Sequence, residues 1–201
     1  MTLDRLRPVA DRALGPFVSA ADAVGLTPNG VSVIAFAVAL VAGGAFVLAS
    51  SVAYLLGAVC VFLNGWLDLV DGALAREQEV ASDAGDFLDH VLDRYADIVI
   101  IAGLAAGIDR YGLGFAAVTG VVMTSYLGTQ IQAVGLGRAY GGLVGRADRL
   151  ALVGLAAVVA AAVPGTIVAG LSVVGLLLVL FAVVGHLTAL QRFWGAWSDL
   201  A

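Results

Sequence analysis

Six stretches of this chain are apolar over lengths that a soluble core has no means of burying. They cover residues 31–49, 53–75, 85–107, 112–134, 150–163 and 167–190. A helix needs about 20 predominantly apolar residues to cross a bilayer. All but the fifth approach or exceed that length, and the fifth has an indistinct start. Only 12% of the 201 residues are charged, against 61% hydrophobic, and the mean hydropathy is +1.02. A soluble domain carries about a quarter charged residues, so lipid is the natural solvent here. The sequence predicts an all-α integral membrane protein, a single domain over residues 1–201 with six transmembrane helices between 31 and 190. Residues 1–28 differ: Leu3, Leu6, Val9, Leu14, Phe17 and Val18 recur at helical spacing between charges. That pattern predicts an amphipathic helix lying at the membrane interface. The same charges leave no uninterrupted apolar core for a cleaved signal peptide. The lone Cys60 excludes a disulfide framework and a thiolate metal site.

Net charge is −5 and lysine is absent, so all ten basic residues are arginine. An acidic chain of this kind is a poor partner for nucleic acid, and its composition also suits a salt-adapted organism. With six spans, Arg5, Arg7, Arg12, Arg76, Arg138, Arg146, Arg149 and Arg192 share one side, and Arg110 alone takes the other. Arg94 lies within the third span. The positive-inside rule then places both termini in the cytoplasm of a multi-pass cell-membrane protein.

Nine of the fifteen acidic residues fall between Asp68 and Asp97. An ionisable group inside a span is costly and points to function. Asp68 and Asp71 are three apart on the second span, and Asp89 and Asp93 four apart on the third, so each pair shares a helix face. Two neighbouring helices can thus bring four carboxylates to one point near the cytoplasmic surface, where they need a cation among them. Hard divalent ions with oxygen ligands, Mg²⁺ or Mn²⁺, suit that donor set. Glu77, Glu79 and Asp83 fit a solvated loop. An ion-coupled transporter also places carboxylates in its spans, but gives no role to the glycines and arginine beside them.

Residues 68–93 read DLVDGALAREQEVASDAGDFLDHVLD. This segment resembles the signature of the CDP-alcohol phosphotransferase family, D-x2-D-G-x2-A-R-x8-G-x3-D-x3-D, with all eight fixed positions filled over 26 residues. Thr27-Pro28-Asn29 is similar to a tripeptide that the family often carries before its first span. The resemblance implies six spans and a two-metal site of Asp68, Asp71, Asp89 and Asp93 holding the CDP pyrophosphate. It implies a CDP-binding set of Asp68, Gly72, Ala75, Arg76, Gly85 and Asn29. Gly72 and Gly85 would allow close approach of the nucleotide, Ala75 would keep that wall small, and Arg76 would pair with a CDP phosphate. Asp93 would be the general base. The acceptor hydroxyl would attack the β-phosphorus of a CDP-lipid and release CMP, driven mainly by positioning and electrostatics. A homodimer is implied as well.

For the acceptor, Arg146 and Arg149 in GLVGRADRL and Arg192 in LTALQRF resemble arginines that hold the phosphate of a phosphorylated acceptor. As positive-inside anchors Arg149 and Arg192 are equally well explained. Residues 93–97, DRYAD, resemble a run of the inositol-phosphate branch. That branch carries an R-A-R/K-A-E-like run in its fourth span, whereas Gly128-Thr129-Gln130-Ile131-Gln132 is uncharged here. A phosphorylated polyol smaller than inositol phosphate, glycerol phosphate, is therefore the expected acceptor, with inositol phosphate and serine as alternatives. CDP-archaeol is the expected donor, giving an archaetidyl-phosphopolyol product. His90 and His186 are read as polar neighbours, and Trp66, Trp194, Trp197 and Tyr126 as packing or interface aromatics.

Overall fold

The computed structural model describes residues 7–137 and 144–201, with side chains from Ala13 onward. Leu3, Leu6, Arg5 and Arg138 lie outside these residues, as does most of the segment before Arg146. Seven helices are described: α1 (Arg7–Ala23), α2 (Pro28–Val47), α3 (Ser51–Glu77), α4 (Asp83–Gly107), α5 (Tyr111–Ala133), α6 (Arg146–Ala162) and α7 (Val173–Leu200). No strand occurs among the described residues.

Hydroxyl side chains start most of the helices. Thr27 Oγ1 accepts from the Gly30 N–H at 3.1 Å, with Pro28 in the first turn, where its missing N–H costs nothing. Ser50, Ser82 and Ser172 cap α3, α4 and α7 in the same way. The Asp148 carboxylate accepts from the Gly145 N–H at the head of α6 at 3.0 Å. The Thr27 cap starts α2 three residues before the apolar run begins at 31. By contrast, α7 starts at Val173, later than the run at 167, because Val168 and Leu171 pair across a turn there.

Glycines set the helix spacing. A Cβ on Gly103 of α4 would stand 2.2 Å from the Gly43 carbonyl oxygen of α2, so these two helices meet backbone to backbone, as small residues permit in membranes. Gly120 of α5 and Gly185 of α7 do the same, with a Cβ on Gly185 only 2.6 Å from the Gly120 carbonyl carbon. The core between these helices is built from Phe46, Val61, Ile100, Leu104, Leu178 and Phe181. The outward faces are apolar too: Ile34, Leu55, Phe62, Leu155 and Val183 are all exposed. Apolar inside and outside is the pattern of a bundle solvated by lipid. α1 buries Leu14, Val18 and Ala21 against Val31, Val70 and Leu74.

By length and composition α2, α3, α5 and α7 can cross a bilayer. The other two expected spans fall short for different reasons. α6 has 17 residues, about 25 Å of helix, less than the ~30 Å hydrocarbon layer. α4 has 25 residues but carries Asp89, Asp93, Arg94 and Asp97 within its first fifteen. Those charges are what the bundle is assembled around.

Candidate active site

α3 and α4 both pack on α2, and their acidic ends come together at the end of the bundle where α2 and α6 begin. Oxygens of Asp68, Asp71 and Asp89 all lie within 4.8 Å of one another. At that spacing, with an effective dielectric constant of about 20, each ionised pair repels by about 3 kcal/mol. Asp71 is buried and accepts from the Ser32 hydroxyl of α2 at 2.7 Å. Asp93, one turn beyond Asp89, is engaged elsewhere. The Arg146 guanidinium bridges Asp93 Oδ1 at 2.6 Å and Asp68 Oδ1 at 2.7 Å. The described ion pairs of the four aspartates therefore go to Asp68 and Asp93 alone, with Arg94 as a second, longer contact to Asp93. Asp71 and Asp89 have no arginine partner among the described ion pairs. Three hard oxygen donors on a metal-sized spacing fit a divalent cation such as Mg²⁺ or Mn²⁺.

Three cavities converge on these carboxylates. The first, about 440 Å³, is lined by Asn29, Ser32, Asp71, Gly72, Ala75, Arg76, Gly85 and Asp89. A Cβ on Gly85 would meet Asn29 Oδ1 at 3.3 Å, a contact tighter than normal. One on Gly72 would meet only Arg76 Nη1, at an ordinary 3.5 Å. Packing within the chain thus accounts for glycine at 85, while Gly72 leaves open room on the cavity wall. The second is an apolar groove of about 870 Å³ between α3 and α6, running from Asp68 and Arg146 past Trp66 and Leu150 to Leu55 and Val158.

The third cavity, about 510 Å³, lies on the other side of Asp93 and contains Arg94, Arg146, Arg149 and Arg192. Arg149 is buried and donates to Asp97 Oδ2 at 2.8 Å. Arg94 reaches the same oxygen at 3.2 Å and also donates to the Ser125 hydroxyl of α5. The Arg192 guanidinium donates to the Thr124 carbonyl of α5. α5 therefore offers the Thr124 carbonyl and the Ser125 hydroxyl just before its uncharged stretch, and α4 and α7 bring their cations to them. The Nε atoms of Arg146 and Arg149 are buried without a hydrogen-bond partner.

All twelve residues singled out from the sequence line one or another of these cavities, apart from any role each has. Ser32, Asn64, Asp97 and Ser125 escaped that reading in whole or part. Asn64 donates to the Ala35 carbonyl at 2.9 Å and its own oxygen lies 3.4 Å from Arg146. A lone amide inside an apolar span was its only signal. Asp97 was visible within DRYAD, but its two arginine partners were not. His90 Nδ1 lies 2.8 Å from the Asp86 carbonyl oxygen and the residue lines the third cavity. His186 faces outward near Thr119.

The model of the CDP-alcohol phosphatidyltransferase family matches residues 25–197. The archaetidylinositol phosphate synthase of Methanothermobacter thermautotrophicus is 30% identical over 200 residues, covering 98% of this chain and 95% of that protein. That of Pyrococcus horikoshii is 29% identical over 195 residues, 96% of each. Phosphatidylinositol phosphate synthase of Mycobacterium tuberculosis, solved with CDP-DAG bound, superposes with a TM-score of 0.79 at 26% identity, over 92% of this chain and 94% of that one. The same enzyme in complex with manganese and citrate gives 0.78, covering 92% and 88%. These names favour inositol phosphate over the glycerol phosphate expected from the uncharged stretch in α5. Arg94, Arg149 and Arg192 bring positive charge to this cavity from α4, α6 and α7. An intact eight-position signature, three hard carboxylates on metal spacing and a match spanning nearly the whole chain converge on one conclusion: this chain belongs to the CDP-alcohol phosphatidyltransferase family.

Proposed function

We propose that this protein transfers the phospholipid moiety of a CDP-activated lipid, CDP-archaeol or CDP-diacylglycerol, to inositol phosphate and releases CMP. The observation that carries the reading is the meeting of three chemically different cavities at one carboxylate cluster. The polar cavity beside Gly72 and Arg76 suits a nucleotide pyrophosphate, the apolar groove suits lipid chains, and the arginine cavity suits a phosphorylated polyol. The archaeal relatives match this chain end to end, which supports CDP-archaeol as donor.

In this reading Asp68, Asp71 and Asp89 hold a divalent cation, with Asp93 beside them available to a second. Such an ion polarises the phosphoryl oxygens and neutralises charge developing on the leaving CMP. Arg76, exposed at the end of α3, pairs with a nucleotide phosphate. Gly72 and Ala75 keep that wall low, and Asn29 and Gly85 close it. Arg149 and Arg192 grip the acceptor phosphate, and the hydroxyls of Ser125 and Thr129 face the polyol. Asp93 takes the proton of the attacking hydroxyl. The new bond joins that oxygen to the β-phosphorus, the bond from the β-phosphorus to the bridging oxygen breaks, and CMP carries away the electron pair. Holding both substrates against one carboxylate makes the reaction effectively unimolecular.

Sidedness follows from the same residues. Arg76, Arg146, Arg149 and Arg192 gather at the site end and Arg110 stands at the other. The positive-inside rule supports a cytoplasmic site, six spans including the charged α4 and short α6, and α1 lying at that interface.

Purified protein in detergent, given CDP-archaeol or CDP-diacylglycerol and Mg²⁺ or Mn²⁺, tests the assignment against inositol phosphate, glycerol phosphate, free inositol and serine. Mass spectrometry of the lipid product should find the acceptor's own phosphate retained with inositol phosphate. A product from glycerol phosphate or free inositol alone overturns the acceptor. No CMP release with any acceptor overturns the reaction.

A further inference from the structure

The third cavity contains a contact that the signature does not predict. A Cβ placed on Gly128 of α5 would lie 2.7 Å from Arg192 Nη1 and 3.7 Å from its Cζ, and among the described residues would meet nothing else within 4 Å beyond its own helix backbone. The same Nη1 donates to the Thr124 carbonyl one turn earlier on α5. Arg192 thus lies across the surface of α5, in space that any side chain at 128 would occupy.

Packing further along the two helices makes this possible. Gly120 and Gly185 bring α5 and α7 to backbone contact, and the Thr124 hydroxyl donates to the Gly185 carbonyl at 2.8 Å. Contacts at 120–185 and 128–192 keep the same order, so the helices run parallel and stay close up to the cavity. Arg192 and Gly128 both line it, alongside Asp93 and Arg149. A guanidinium holds an anion well when its fork is fixed in one plane.

We propose that Gly128 is a positioning residue for the acceptor phosphate. By having no side chain, it lets the Arg192 guanidinium lie against α5 at the wall of the cavity, held by the Thr124 carbonyl. The inference rests on the reading of this cavity as the acceptor site. A methyl group at 128 displaces only the flexible end of Arg192, so the fold survives while the guanidinium is pushed from its position.

Initial rates are measured for wild type, Gly128→Ala, Arg192→Ala and the double variant, with thermal unfolding of each. Gly128→Ala should raise KM for inositol phosphate about tenfold, the loss of one charge-assisted hydrogen bond. kcat and KM for the CDP-lipid should stay within about twofold of wild type. The double variant should be no worse than Arg192→Ala alone, because both changes remove the same interaction. Gly128→Ala with Arg192→Lys should recover part of the KM, since an ammonium needs less room. An unchanged KM, or additive losses in the double variant, overturns the proposal. Should Gly128→Ala fail to fold, the double variant lacks the clashing atoms and must fold; its failure also overturns it. Calorimetry with inorganic phosphate separates this proposal from the choice of acceptor. Binding weakened about tenfold by Gly128→Ala upholds the positioning role even where inositol phosphate proves not to be the substrate. Equal binding by wild type and variant overturns it.

Discussion

Asp97 accepts from two arginines on one oxygen and is buried at the end of the motif-bearing half of α4. Removing one partner of a buried ion pair leaves the other charge uncompensated and costs about 3–5 kcal/mol. Asp97→Asn should therefore lower the thermal unfolding temperature and raise KM for a phosphorylated acceptor, because Arg149 loses its anchor. Unfolding at the wild-type temperature would show that the pair contributes nothing. Asp68→Asn should instead remove cation binding, read by electron paramagnetic resonance of Mn²⁺, and CDP-lipid binding with it. The signature made these aspartates legible, since spacing alone sets Asp68 with Asp71 and Asp89 with Asp93 on shared faces. It did not show that Arg146 bridges Asp68 and Asp93, or that Asp93 stands apart from the group of Asp68, Asp71 and Asp89. That difference depends on where α6 begins. Ser32, Asn64 and Gly128 were opaque for the same reason: each acts through a partner on another helix, and one sequence does not pair helices.

Helices were legible as apolar runs, but their ends were set by something hydropathy does not measure. Thr27 and Pro28 start α2 ahead of its apolar run, and α7 continues through Trp194 and Trp197 to Leu200. Apolar runs report where lipid ends; caps and turns report where helices do. The expected third span lacks the composition of a membrane helix because α4 carries its charges within its first fifteen residues. What holds α4 in place is its contact with α2 at Gly43 and Gly103. Gly103→Ala drives a methyl into the Gly43 carbonyl, and overpacking of that kind costs about 1–3 kcal/mol. Gly44→Ala, next to that contact with nothing within 4 Å of its Cβ, should be neutral or slightly stabilising. Thermal unfolding of the two variants in the same detergent checks the contrast. Equal stability would mean that α2 and α4 are not pressed together.

Across the whole molecule, function depends on orientation: one end gathers carboxylates and arginines, while the other keeps Arg110. Cys60 is buried, so a Cys60→Ala background allows single cysteines to report sidedness. A membrane-impermeant thiol reagent should label Asp109→Cys in intact cells, and Ser82→Cys only after permeabilisation. The reverse pattern would place the site outside. The apolar groove reaches Asp68, the polar cavity Asp71 and Asp89, and the arginine cavity Asp93, with Arg146 lining both the groove and the arginine cavity. The most direct test is metal-dependent CMP release from CDP-lipid by wild type and by Asp93→Asn, with CDP-lipid binding measured in parallel. Release should require both a divalent cation and inositol phosphate. Asp93→Asn should lower it by at least about 100-fold, the scale of a general base, with CDP-lipid binding largely retained. Turnover by Asp93→Asn at the wild-type rate would contradict that role.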